Sequence, residues 1–159
     1  MSSERWIPKD PEYRAGIYKE IESVPEHRRL RNYQARFEGY DCWWEYLESN
    51  DLIDPSDSRG HKLAIERYER RWKKFIESQG RHHALCSPQD ASEYATHLFD
   101  DHSLSMATAV DYWCQIERFY RWMFYRADFP HSYHPFVMAA IHDETCHEIW
   151  MEEMTQEEQ

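Results

Sequence analysis

The chain has 159 residues and a mass of 19.5 kDa, one domain's worth of length. Seven Trp and eleven Tyr exclude a disordered chain, despite a mean hydropathy of -0.96. A net charge of -11 argues against a nucleic-acid partner, unless the bases are gathered on one face.

Strand signals are weak: the chain has three Val, four Thr and four Gly, and no stretch alternates cleanly. Helical spacing recurs throughout, so the expected fold class is all-α, a small bundle of four to six helices. The first predicted helix covers about 11–22, with Asp10-Pro11 at its start, Ile17 and Ile21 on its apolar side and Pro25 as its stop. The second covers about 26–49, where Leu30, Tyr33, Phe37, Tyr40, Trp44 and Leu47 form a heptad-like seam. Asn50 to Gly60 reads as a linker. The third helix covers about 62–79, with Ile65, Tyr68, Trp72, Phe75 and Ile76 inward and Gly80 as its cap. The fourth, about 88–100, opens with Ser87-Pro88-Gln89-Asp90, a capping arrangement. The fifth, about 105–125, starts at Ser105 and turns Ala109, Tyr112, Trp113, Ile116, Phe119, Tyr120 and Met123 inward. A sixth spans 136–153, followed by frayed acidic residues.

The charge is uneven. Residues 127–159 carry eight acids and no base, whereas residues 61–126 carry ten bases and nine acids. Fourteen Arg against five Lys, with acid excess, fits a high-salt (halophile) cytoplasm or an ordinary acidic protein. At molar salt the screening length falls to roughly 3 Å, so an acidic surface would repel DNA little. No apolar run reaches the length of a membrane span, and Met1 to Pro8 holds no signal-peptide core. A soluble, cytoplasmic protein is the expectation. The four cysteines are too far apart for a C-x-x-C motif or a compact disulfide framework.

No phosphate-binding Gly-rich loop, nucleophile elbow or H-E-x-x-H motif occurs, so no enzyme activity and no cofactor are expected. His82-His83-x-x-Cys86 and His142-x-x-x-Cys146-His147 have ligand-like spacing, but neither completes a four-ligand zinc set, and no metal is expected. The sharper feature is a basic arc. Arg67, Arg70, Arg71 and Lys74 share about 100° of the third helix, away from Tyr68, Trp72 and Phe75. Arg118 and Arg121 leave the apolar face of the fifth helix beside Trp122 and Tyr125. Arg forks match phosphates, and exposed rings can lie against sugars or bases. Pairing with Glu66, Glu69 and Glu77 would instead make the arc an ordinary solvated face.

Three stretches carry a family likeness: Tyr68-x-x-x-Trp72-x-x-Phe75; Ser87-Pro88-Gln89-Asp90-Ala91-x-x-Tyr94-x-x-x-Leu98; and Ser103-Leu104-Ser105-x-x-Thr108 followed by Ile116 to Met123. With His134-Pro135 as a terminus, residues 65–135 resemble the N-terminal core-binding (SAM-like) domain of phage-integrase-type tyrosine recombinases. The resemblance implies a bundle that clasps one face of a DNA site. By position, Arg67, Arg70, Arg71, Lys74, Thr108, Arg118 and Arg121 would be its DNA-binding residues. The chain divides into an N-terminal extension and linker (1–60), the core-binding domain (61–135) and a C-terminal helix with acidic tail (136–159).

The family's catalytic Arg, Lys, His-x-x-Arg and Tyr have no counterpart: no His-x-x-Arg occurs, and no base follows Pro135. Without cations around a scissile phosphate the chain should not cut or join DNA. The expected function is a non-catalytic double-stranded DNA-binding protein, an accessory factor or regulator in DNA recombination, in integration or on a mobile element. The alternative is a protein-interaction module that binds a tyrosine recombinase or another basic partner, or self-associates through the Leu30–Leu47 seam.

Overall fold

The computed structural model describes residues 8–157. Among these are seven α-helices, four short 3-10 turns and no strand. Among the described residues no helix is long and apolar enough to cross a membrane.

The middle of the chain folds where the caps place it. α3 (Arg59–Ser78) begins after Ser58, whose hydroxyl accepts from the His61 N–H, and Gly80 follows it at φ 77°. α4 (Pro88–Phe99) starts with a reciprocal capping box: Ser87 Oγ accepts from the Asp90 N–H, and the Asp90 carboxylate accepts from the Ser87 N–H. α5 (Met106–Phe124) is capped by Ser105 on the Thr108 N–H.

The two N-terminal predictions are corrected. Residues 11–22 form no α-helix; two three-residue turns, Pro11–Tyr13 and Ile21–Ser23, stand there. Asp10 makes no capping bond, and of the expected apolar side only Ile21 packs against the core while Ile17 is 84% exposed. The predicted helix 26–49 is broken into turns, α1 (Gln34–Phe37) and α2 (Cys42–Ser49). Gly39 takes φ 77°, a conformation that a side chain would strain. Asp41 then restarts the helix by accepting from the Trp44 N–H at 3.1 Å. The restart rotates the frame. Leu30, Phe37 and Leu47 remain buried, but Tyr40 and Trp44 are exposed, and Trp43 and Tyr46 take the core positions. The six residues therefore form no continuous seam.

The C-terminus differs too. α6 (Pro135–His142) and α7 (Glu144–Glu157) replace the single predicted helix. Asp143 is extended, and its carboxylate accepts from the Cys146 N–H at 3.0 Å. The acidic residues do not fray within the described chain: α7 runs to Glu157 with Cys146, Ile149, Trp150 and Met154 buried.

α5 passes through the centre of the bundle. Its Trp113 donates to the Ala91 carbonyl of α4 at 3.1 Å, and its Phe119 and Tyr120 are fully buried. Trp72 packs edge-on against Tyr94, Tyr120 and Phe136, tying α3, α4, α5 and α6 together. Val24, Leu30 and Trp43 join the same core as Cys146 and Ile149, so the segments 1–60, 61–135 and 136–159 all contribute to it.

Candidate nucleic-acid interface

α3 places Arg67, Arg70, Arg71 and Lys74 along one wall of an open cleft of about 760 Å³. Its other lining includes Phe75, His97 from α4, Asp101 and Tyr112 from α5. The arc thus borders the apolar face at Phe75 instead of opposing it. Packing sets the wall: Tyr68 of α3 meets Tyr112 edge-on at 5.2 Å, and its hydroxyl donates to Asp111 at 2.5 Å.

The four cations are not equivalent. Arg71 pairs with Asp101 at 2.9 Å and lies 5.5 Å over the Tyr112 ring. The Ser103 hydroxyl and N–H, together with Arg71, hold the Asp101 carboxyl down at about 2. Arg67, Arg70 and Lys74 are exposed and make no ion pair or side-chain hydrogen bond among the described residues. The balancing pairs considered from sequence form only once on this helix, between Lys73 and Glu69 at 2.6 Å. Burial and the Arg71 charge lower the His97 imidazole below its ordinary value, so the cleft's fixed cations are the Arg and Lys groups. Thr108 is exposed at the start of α5, one turn from Tyr112, and its hydroxyl meets Ser105 Oγ at 2.8 Å.

Arg118 and Arg121 stand apart from this wall, in a buried ionic network between α5 and α7. Arg121 pairs with Glu117, with Glu153 at 3.4 Å and with Glu157 at 3.0 Å. Arg118 reaches Glu153 at 3.3 Å and Glu157 at 3.8 Å. His134 Nε2 meets Glu117 Oε2 at 2.8 Å, and both residues are essentially without exposure. Burial pushes the Glu153 carboxyl up, and the neighbouring Glu117 charge adds to this. Burial opposes ionisation of Glu117 as well, but the His134 hydrogen bond and the Arg121 charge outweigh it and hold Glu117 down. One proton on Glu153 beside an ionised Glu117 follows. Trp122 is half-buried in the core with Arg126 4.8 Å over its ring, whereas Tyr125 is exposed.

This network has a testable pH signature. A folded-state value raised above the ordinary carboxylate range stabilises at low pH, and that contribution is lost as pH rises toward the raised value. Glu153→Gln keeps the shape and cannot ionise. Its Tm gain over the parent chain is therefore expected to be larger at pH 8 than at pH 5, with Glu117, Arg118, Arg121, His134 and Glu157 unchanged around it. An equal difference at both pH values, followed by thermal melts, would contradict a protonated Glu153.

The ligand-like clusters also rearrange. Cys86 is buried, with its N–H donating to the Tyr120 hydroxyl, while His82 and His83 approach Cys42 instead. His142 is exposed and contacts the Lys19 carbonyl at 3.0 Å, whereas Cys146 is buried. Sequence reasoning missed Glu117, His134 and Glu153. Only the i, i+4 spacing of Glu117 and Arg121 hinted at them. The chain matches no protein-family model, no curated protein and no solved structure.

Proposed function

We propose that the chain is a non-catalytic DNA-binding protein that receives duplex DNA on the α3 wall, as an accessory factor or regulator in recombination or on a mobile element. The observation that carries this is the set of exposed, unpaired cations Arg67, Arg70 and Lys74 beside one cleft. Cations with no internal anion are available to phosphates, and releasing counterions from DNA drives such binding. Arg71 and Tyr112 add a guanidinium and a ring at the same wall, and Thr108 lies one turn from Tyr112. Arg118 and Arg121 serve the fold in this reading, because Glu117 and Glu157 already neutralise them and Glu153 lies against both. The integrase-type core-binding likeness agrees with a bundle that presents its opening helix to DNA.

A second reading, a module for a recombinase or another basic protein, draws support from Tyr40 and Trp44, exposed by 45% and 53%. A gel shift with random duplex at low salt separates the two. A retarded complex supports DNA binding. Its absence, together with capture of a basic partner that fails with Trp44→Ala, would overturn it.

A further inference from the structure

Cys42, His82 and His83 come from two distant segments, yet one potential ligand atom from each lies within 4.8 Å of the others. Their meeting is built into the fold. Cys42 is the first residue of α2, whose start Asp41 fixes by capping. His82 and His83 lie in the loop between α3 and α4. The His83 carbonyl accepts from the Trp72 indole at 2.8 Å and from the Tyr120 hydroxyl at 2.9 Å. The next carbonyl, of Ala84, meets His131 Nε2 at 2.7 Å. Three core side chains thus pin the loop that carries both imidazoles.

Each imidazole has one accepting nitrogen, held in place by backbone N–H groups that the metal would replace. His83 Nε2 accepts from the Cys42 N–H at 3.1 Å and the Trp43 N–H at 3.4 Å, so its lone pair points at the Cys42 segment. His82 Nδ1 accepts from the Ala84 N–H at 3.1 Å, and its Nε2 meets the Tyr40 carbonyl at 2.8 Å. The two rings stack at 4.1 Å. The Asp41 carboxylate stands 3.7 Å from His83 Nε2 on the exposed side.

We infer that Cys42, His82 and His83 bind one Zn2+ per chain, with the fourth position facing Asp41. One thiolate and two imidazoles form the donor set that zinc favours, and a tetrahedral ion accepts a carboxylate or water as its fourth ligand. The Cys42 S–H bond breaks as the S–Zn bond forms, and the proton leaves to solvent. Without the ion, burial and the neighbouring Asp41 charge push the thiol up to about 12, which keeps it a small buried hydrophobe. With the ion, α2 is stapled to the α3–α4 loop. The site lies apart from the cations of the α3 wall, so it stands or falls independently of DNA binding.

The test is a Co2+ titration of the full chain after chelator treatment, followed by Zn2+ displacement. Saturation at one Co2+ per chain is expected, with the near-ultraviolet sulfur-to-cobalt band and the intense visible bands of a tetrahedral thiolate site. Cys42→Ser should abolish the sulfur band, while Cys114→Ser should keep it. His82→Gln, at a half-buried position, should weaken binding by more than the roughly 10–100-fold that loss of an outer-shell partner costs. It should also cancel the rise in Tm that Zn2+ gives the parent chain. Absence of saturable binding, a spectrum without the sulfur band, or unchanged affinity in a folded His82→Gln variant would each overturn the site.

Discussion

Glu117→Gln is expected to destabilise the fold by about 3–5 kcal/mol, the cost of breaking a buried ion pair from one side. The substitution preserves shape and volume but removes the one anion held between Arg121 and His134. Arg121 then keeps the partly exposed Glu157 at 3.0 Å and the buried Glu153 at 3.4 Å, whose ionisation burial opposes. The carboxylate's folded-state value is held below its ordinary range, so its contribution is present above that range and is lost as pH falls. Glu117→Gln should therefore lose most stability at neutral pH and flatten the acid side of the profile. Urea unfolding at pH 7 and pH 4 measures both effects. A loss under about 1 kcal/mol at pH 7, the worth of a surface pair, would contradict a buried network.

The network explains why the acidic C-terminus misleads when read alone. Its eight acids look like a solvated tail because sequence cannot show that Glu153 lies against Glu117. The same blindness affects Arg118 and Arg121, which the helix wheel places off the apolar face and the fold uses to hold α7. In contrast, α4 and α5 were legible because Ser87 and Ser105 are local caps whose chemistry needs no tertiary context, and α3 through its apolar spacing and Gly80, although it starts at Arg59 inside the expected linker, where the Ser58 cap went unread. The N-terminal fifty residues were not. Spacings of 3 and 4 continued across Gly39, where the backbone turns and a new cap restarts the count. The α3 wall was legible as an arc. That it borders Phe75 and Tyr112, and that Asp101 claims only Arg71, needed the structure.

Arg70→Glu combined with Lys74→Glu is expected to abolish duplex binding at moderate salt while leaving the helical spectrum and Tm nearly unchanged. Both side chains are exposed and unpaired, so no internal contact is lost. Arg71 is the wrong choice for this test, because its reversal would also break the Asp101 pair and the Tyr112 contact. Each lost phosphate contact lowers the dependence of log Kobs on log salt by about 0.9, so the two substitutions should remove a slope of about 2. A reversal of equal charge at the exposed Arg28 and Arg59, outside the cleft, should leave most of the binding intact. Equal losses at the two places would mean that net charge, not the α3 wall, governs association.

The decisive measurement is fluorescence anisotropy of a random duplex titrated with the full chain at a series of salt concentrations. Three unpaired cations and the partly engaged Arg71 give an expected slope of about -3. Absence of binding at every salt concentration, or a slope that the Arg70→Glu and Lys74→Glu pair leaves unchanged, would contradict DNA recognition by this face.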